Sequence, residues 1–341
     1  MDKKYPLISI IFPSYNGEKF LNRNLDSIKK LSSINNIELI IVDNNSNDSS
    51  IKIIESYKND IKIKLIKQEK NLGFAKACNI GARHAQGEFL FITNQDVIFN
   101  PTFFEKILSL YKTYKKENEL IISPALVFEG DGIHYFGAKI HFLGFAYTPE
   151  VGQEMPMKKI IKYTQRFSGG TFFIKRKIFL EMEGFDSIFF MYYEDTDLSL
   201  RFLRNGMKIL TTNDPYLIHQ KHEWKFSDFQ YYLLERNRFI AFIKNIDNFK
   251  KVFPFFILTE CIMLFHAIIT KKIGLRTRIY YELIKHIKVI KELRAESRKK
   301  ADLLSYQLLS RKLDPILLGG FQENKIFKDL LRLFNSILKL V

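Results

Sequence analysis

Residues 7–17 read LISIIFPSYNG, and residues 37–46 read IELIIVDNNS. In each, a run of Ile, Val, Leu and Phe too short for a helix breaks off into Pro, Ser, Asn, Asp or Gly. That is the pattern of a buried strand ending in a turn. It returns at residues 61–66 (IKIKLI) and 88–93 (EFLFIT), the latter followed by Asn94-Gln95-Asp96. Between these runs, residues 18–31, 49–58 and 74–85 place apolar side chains three and four apart, which predicts helices. Strand and helix in alternation predict an α/β fold with a doubly wound, mostly parallel sheet.

In open sheets of this kind ligands bind beyond the carboxyl ends of the strands. Three polar clusters stand there: Pro13-Ser14-Tyr15-Asn16-Gly17, Asp43-Asn44-Asn45-Ser46 and Asn94-Gln95-Asp96. Any one of them also suits a turn or a helix cap, for local backbone reasons. Three on one edge argue for a site. Asp43 could accept hydrogen bonds from a nucleoside base or ribose, and Asp96 suits a divalent cation shared with a diphosphate. There is no GxGxxG after the first strand and no GxxxxGK[ST], so a dinucleotide dehydrogenase or a P-loop NTPase is not expected.

Beyond residue 120 the strands shorten and the loops become aromatic: 120–128, a Gly-rich stretch to 147, then FSGGTFFI at 167–174. Residues 184–186 (GFD) and 189–198 (FFMYYEDTDL) lead into a short helix through 204. Glu194-Asp195-Thr196-Asp197 reads as an acidic helix start, where carboxylates cap N–H groups and suit the dipole. It also reads as a general base, since a carboxylate beside Phe189, Phe190, Tyr192 and Tyr193 is partly desolvated and gains proton affinity.

The chain has 341 residues, enough for about two domains at roughly 150 residues each. With 46% hydrophobic and 26% charged residues, it is neither collagen-like nor disordered. Cys78 and Cys261 form no CxxC pair, which excludes a disulfide scaffold and a cysteine zinc site and suits a reducing compartment. The start of the chain enters a strand at once, so no secretory leader is expected. The charge is uneven. Residues 241–341 hold 20 Lys and Arg against 9 Asp and Glu, and the rest hold 33 against 28. Such an excess points to a polyanionic partner.

Residues 8–16 (ISIIFPSYN), 41–48 (IVDNNSND), 71–75 (NLGFA) with Asn79 and Gly81, Asn94-Gln95-Asp96, and 184–186 with 190–198 together resemble glycosyltransferase family 2, in its rhamnosyltransferase-like branch. The resemblance covers about residues 5–240. It implies a GT-A fold and inverting transfer of a sugar, rhamnose at family level, from a UDP- or dTDP-linked donor to a hydroxyl of a glycan or lipid-linked glycan. It further implies that Pro13, Tyr15 and Asn16 lie along the nucleotide and that Asp43 reads the base. Asn71, Gly73 and Asn79 would line the donor pocket, with Gly73 permitting close backbone approach, and Asn94 would border it. Asp96 would hold Mg²⁺ or Mn²⁺, with His219 recruited as a second ligand because Asn94 replaces the first carboxylate of the DxD motif. Asp195 would be the base, supported by Glu194 and Asp197, with Gly169 and Gly170 beside the acceptor.

The expected organisation is a GT-A domain over 1–240 and a basic, amphipathic helical extension over 241–341. Residues 252–270 (VFPFFILTECIMLFHAIIT) approach the length of a membrane span, yet carry Glu260 near the middle and cations at both ends. That favours an interfacial anchor on the anionic inner face of the cell membrane, with the protein cytoplasmic and peripheral. Packing or oligomer helices, and a true span, are the alternatives. Two rival functions are a sugar-1-phosphate nucleotidyltransferase, which calls for a Gly-rich loop where Pro13-Ser14-Tyr15-Asn16 stands, and a basic module for nucleic acid. The tail's cations are interleaved with Leu, Ile and Phe and carry no nucleic-acid motif, so no nucleic-acid partner is expected. Self-association stays open.

Overall fold

The computed structural model describes residues 6–115, 120–220, 226–247, 249–300, 302 and 304–310. The first part runs β1 (Ile8–Ser14), α1 (Glu18–Lys29), β2 (Ile37–Asp43), α2 (Ser50–Ser56), β3 (Ile63–Lys67), α3 (Gly73–His84), β4 (Phe89–Thr93), β5 (Val97–Ile98) and α4 (Phe103–Tyr114). There follow β6 (Leu120–Phe128), β7 (Gly132–Tyr135), β8 (Lys139–Ile140), β9 (Ala146–Tyr147), β10 (Ile161–Thr164), β11 (Thr171–Lys175), α5 (Arg176–Glu181), α6 (Glu194–Arg204) and β12 (Lys208–His219). Four helices close the described chain: α7 (Asp228–Asn245), α8 (Phe249–Ile269), α9 (Ile273–Lys285) and α10 (Ile287–Lys300).

Strands β3, β2, β1 and β4 lie side by side and parallel, as the alternation predicts. Ile10, Ile11 and Phe12 are fully buried in β1, and every residue of β2 is buried. Strands covered on both faces need continuous apolar runs, and these are the runs that stand out in the sequence. β3 is half exposed at the edge. Past β4 the sheet departs from parallel order. β11 inserts antiparallel between β4 and β6, while β12 runs parallel to β6 and is flanked by antiparallel β10 and β5. Two registers position the site. Thr171 lies opposite Thr93, which sets Gly170 beside Asn94, and His219 lies opposite Val97, which sets it beside Asp96.

The chain divides into two compact units, one of residues 1–137, 150–202 and 206–223, the other of residues 138–149, 203–205 and 224–341. The boundary expected from the sequence lies at 240. α7 belongs with the later helices because its buried Glu235 and Arg238 pair with Glu260 of α8 and Arg276 of α9. Residues 138–149 join them because Arg238 donates to Leu143 O (3.2 Å) and lies 4.3 Å from the Phe145 ring centroid. In α7, Ser227 and Gln230 form a capping box at the start.

α8 also differs from the amphipathic helix expected after Pro254. It begins at Phe249 and runs through that proline. Its inner stripe, Val252, Phe256, Met263 and Ala267, is buried, and its outer stripe, Phe253, Ile257, Leu258, Phe265, Ile268 and Ile269, is exposed. Both stripes are apolar. Glu260 sits on the inner side, 7% exposed, where Arg238 Nη2 meets Oε1 at 2.6 Å and Arg276 meets Oε2. Residues 311–341 of the expected extension lie outside the described residues.

Candidate active site

The turn after β4 is held from both sides. Asn94 N–H donates to Gly170 O at 3.1 Å and so extends the ladder one residue beyond the strand. A Cβ on Gly170 would stand 2.5 Å from Asn94 Nδ2, so a side chain there would displace the Asn94 amide. Gln95 accepts from Tyr15 N–H and donates to Tyr15 O, both at 3.2 Å, with its amide against Gly17. It thus ties the ends of β1 and β4 together, a role the motif reading did not assign. The signal was Gly17, where a Cβ would be 2.2 Å from Gln95 Oε1.

Asp96 Oδ2 lies 3.1 Å from His219 Nε2, and Asp96 O accepts from Gln220 N–H at 2.9 Å. The His219 ring stacks on His134, with centroids 4.9 Å apart, and His134 stacks on Phe128. Asp96 Oδ1 is buried and has no hydrogen-bond partner. Among the described residues no group of three or more His, Cys, Asp or Glu forms a metal cage. Any cation here would draw most of its ligands from substrate and water.

On the other side of Gly169-Gly170 stands the start of α6. Asp195 Oδ2 accepts from Gly169 N–H (3.0 Å) and pairs with Arg166 Nη1 (2.8 Å). Asp195 Oδ1 accepts from Thr196 N–H (2.6 Å) and the Thr196 hydroxyl (3.2 Å). Its side chain is 11% exposed and that of Asp96 is 15% exposed, so neither is sealed. Glu194 is buried beside it, and a Cβ on Gly169 would be 3.0 Å from Glu194 Oε1. Burial first, and then the charge of Asp195, push the Glu194 carboxyl up to about 8. Tyr192 and Tyr193, at φ 67° and 68°, hold a left-handed backbone that bulky residues rarely adopt, directly before the pair.

The remaining predicted residues serve the scaffold to different degrees. Asn16 (φ 46°) accepts from Asn47 N–H at 2.9 Å and locks the loops after β1 and β2 together. Pro13, next to last in β1, is half-buried, and Tyr15 is exposed. Asp43 is buried, with Oδ1 taken by the Ser46 hydroxyl (2.6 Å) and Oδ2 by Ser46 N–H (3.1 Å), so it forms the turn after β2. Asn71 Oδ1 caps Gly73 N–H at 2.8 Å. The close approach that Gly73 permits is to Phe190, whose carbonyl oxygen would stand 2.2 Å from a Cβ there. Asn79 braces the loop at 184–186, exchanging hydrogen bonds of 2.6 and 2.9 Å with Phe185 O and N–H. Asp197 pairs with Arg201 (2.9 Å), which donates to Gly184 O.

The family model described as "Glycosyl transferase family 2" matches residues 9–182, from β1 through the Gly169-Gly170 segment. The chain belongs to that family. Among its curated relatives is "Glycosyltransferase GlyG" of Streptococcus pneumoniae, 26% identical over 223 residues, covering 63% of this chain and 71% of that protein. Another is "Minor teichoic acid biosynthesis protein GgaB" of Bacillus subtilis, 29% identical over 124 residues, 36% of this chain and 14% of that protein. Against several such relatives the chain therefore spans well under two thirds of their length. Two solved structures share its fold at 18% identity. TarS of S. aureus in complex with UDP has a TM-score of 0.50, with 70% of this chain and 66% of that one covered. GalNAc-T7 with UDP, GalNAc and Mn²⁺ has a TM-score of 0.60, with 75% and 50% covered. The fold is GT-A.

Proposed function

We propose that this family 2 chain is an inverting glycosyltransferase that moves a sugar, with rhamnose one candidate, from a UDP- or dTDP-linked donor to a hydroxyl of a glycan or lipid-linked glycan. One observation carries the reading: Gly169 N–H bonds Asp195 while Gly170 O bonds Asn94 N–H, so two glycines join the proposed base to the β4 turn. In the reaction Asp195 accepts the proton of the acceptor hydroxyl, and that oxygen attacks the anomeric carbon on the face opposite the diphosphate. A single displacement inverts the centre. Its transition state has oxocarbenium character, as in glycoside hydrolysis. The loops carrying Pro13, Tyr15 and Asn16, with Asp43 shaping the turn beside them, take the nucleotide; Asn94 and the Asn71–Gly73 turn border it.

Asp96 and His219 fit a cation of the Mg²⁺ or Mn²⁺ class, since a buried, unpaired carboxylate oxygen beside an imidazole nitrogen leaves places for phosphate oxygens. Bound there, the ion would offset negative charge gathering on the departing diphosphate. A panel of UDP- and dTDP-sugars with glycan acceptors, with and without Mn²⁺, tests the assignment by release of nucleoside diphosphate. Release with one donor, stimulated by Mn²⁺ and yielding an inverted anomer by NMR, is the expected result; a retained anomer contradicts it.

The second unit is assigned to the anionic inner face of the membrane. By length and composition Lys250–Ile269 could cross a bilayer. What favours lying on it is Glu260, turned inward onto two guanidiniums, together with an outward stripe in which Phe265, Ile268 and Ile269 are 57%, 60% and 58% exposed. Lys250 and Lys251 before the stripe and Lys271 after it complement anionic headgroups.

A further inference from the structure

Glu194 and Asp195 are neighbours at the start of α6, and both reach the same glycine. A Cβ on Gly169 would lie 3.0 Å from Glu194 Oε1, 3.0 Å from Asp195 Cβ and 3.3 Å from Asp195 Oδ2. The hydrogen-bond donors around them are divided unequally. Asp195 receives the Arg166 guanidinium, Gly169 N–H, Thr196 N–H and the Thr196 hydroxyl. Glu194 Oε2 is buried and receives none.

We propose that Glu194 works in its protonated form, as a neutral positioning residue, while Asp195 alone carries the negative charge of the pair and Arg166 enforces the division. The inference rests on Asp195 being the base. Two adjacent carboxyls with one cation between them do not both ionise when water is withdrawn, and the cation decides which one does. Here it is committed to Asp195. The groups that face the pair agree with that division. Cys78 of α3 is fully buried and its thiol is pushed up by that burial, so it stays uncharged beside the pair. Tyr135 of β7 is held neutral by burial and donates its hydroxyl hydrogen to Arg166 O at 2.7 Å, which fixes the arginine backbone. Tyr193 precedes the pair and lies within electrostatic reach of Arg166. The Glu194 carboxyl itself is raised by burial and by Asp195, against smaller opposing effects of its own backbone N–H and of Arg166.

The consequence is a balanced site. Arg166⁺, Asp195⁻ and uncharged Glu194 sum to zero before the reaction. An ionised Glu194 would compete for Arg166 and draw it from the base. A neutral amide at position 194 should therefore replace the acid, and an amide at 195 should not.

The test uses the full chain in two measurements. In the transferase assay D195N loses about 10²- to 10⁴-fold of turnover, the worth of a general base, and E194Q, whose amide keeps a neutral hydrogen-bonding group at that place, loses clearly less than D195N and less than E194A. R166M moves the acid limb of the activity profile to higher pH, because the cation favouring the charged carboxylate is gone, and R166K moves it less. Infrared difference spectra between parent and E194Q at neutral pH show the carbonyl band of a protonated carboxylic acid, which needs no substrate. The inference is overturned by an E194Q as impaired as D195N, by an R166M profile that does not move, or by the absence of that band. If no nucleotide sugar is turned over at all, the transferase reading fails, while the infrared band still decides the protonation of Glu194.

Discussion

Two of the clusters of buried charge among the described residues are built on opposite principles. In the helical unit, Glu235 and Glu260 meet Arg238 and Arg276, with the Tyr280 hydroxyl donating to Glu260 Oε2 at 2.9 Å. Two carboxylates face two guanidiniums, and the Glu235 carboxyl is held down to about 2 by the arginines, which outweigh its burial. At the start of α6, two carboxyls face one guanidinium, and one carboxyl oxygen has no partner. A closed network fixes helices; an unbalanced one leaves proton affinity to be used. On the proposed reading, the first is a structural cluster and the second a chemical one.

The largest effect on stability is expected from opening the closed network. Glu260→Ala leaves Arg276 and Arg238 short of a buried partner and should cost about 3–5 kcal/mol in the unfolding of the helical unit. Denaturant titration followed by circular dichroism measures it, and a change under about 1 kcal/mol would show that the network is not a unit.

The two clusters should also respond to pH in opposite directions. A carboxyl raised to about 8 binds more protons in the fold than in the unfolded chain between its ordinary 4.5 and 8, so the contribution of Glu194 to stability falls as pH rises through that window. Glu235, lowered to about 2, contributes above 4.5 and loses that contribution as pH falls towards 2. Melting curves across pH for E194Q and E235Q should flatten the alkaline and the acid slope respectively. The same slope lost in both variants would erase the distinction.

Smaller again is the expected effect at the outer stripe of α8. Phe265→Glu should weaken sedimentation with anionic liposomes and leave unfolding unmoved, because that side chain is exposed. Equal binding by parent and variant would remove α8 from the membrane, and a concentration-dependent mass in light scattering would assign the stripe to a second copy.

Asp195 and the β4 turn were legible in the sequence because each breaks a strong apolar run, and β1 and β2 because burial on both faces makes their runs continuous. What stayed hidden depends on strand order. Arg166 sits in a loop with no spacing signal, and it reaches Asp195 through the turn that precedes antiparallel β11. Gln95 resembles any turn residue until Tyr15 and Gly17 are placed beside it. Asn79 and Asp197 carry the right residue types at the right motif positions, yet both brace the 184–186 loop, because Gly184 brings its backbone between them. His219 needed the pairing of β5 with β12 before its distance to Asp96 could be read. Glu260 looked like the defect of a membrane span, and only the packing of α7, α8 and α9 supplies its two arginines.

The account turns on Asp195 acting on the acceptor rather than holding the donor, and a comparison of turnover with donor affinity in D195N tests it most directly. Transfer should fall by about 10²- to 10⁴-fold while UDP binds D195N as tightly as the parent chain. Undiminished transfer in D195N, or loss of UDP binding in step with transfer, would contradict it.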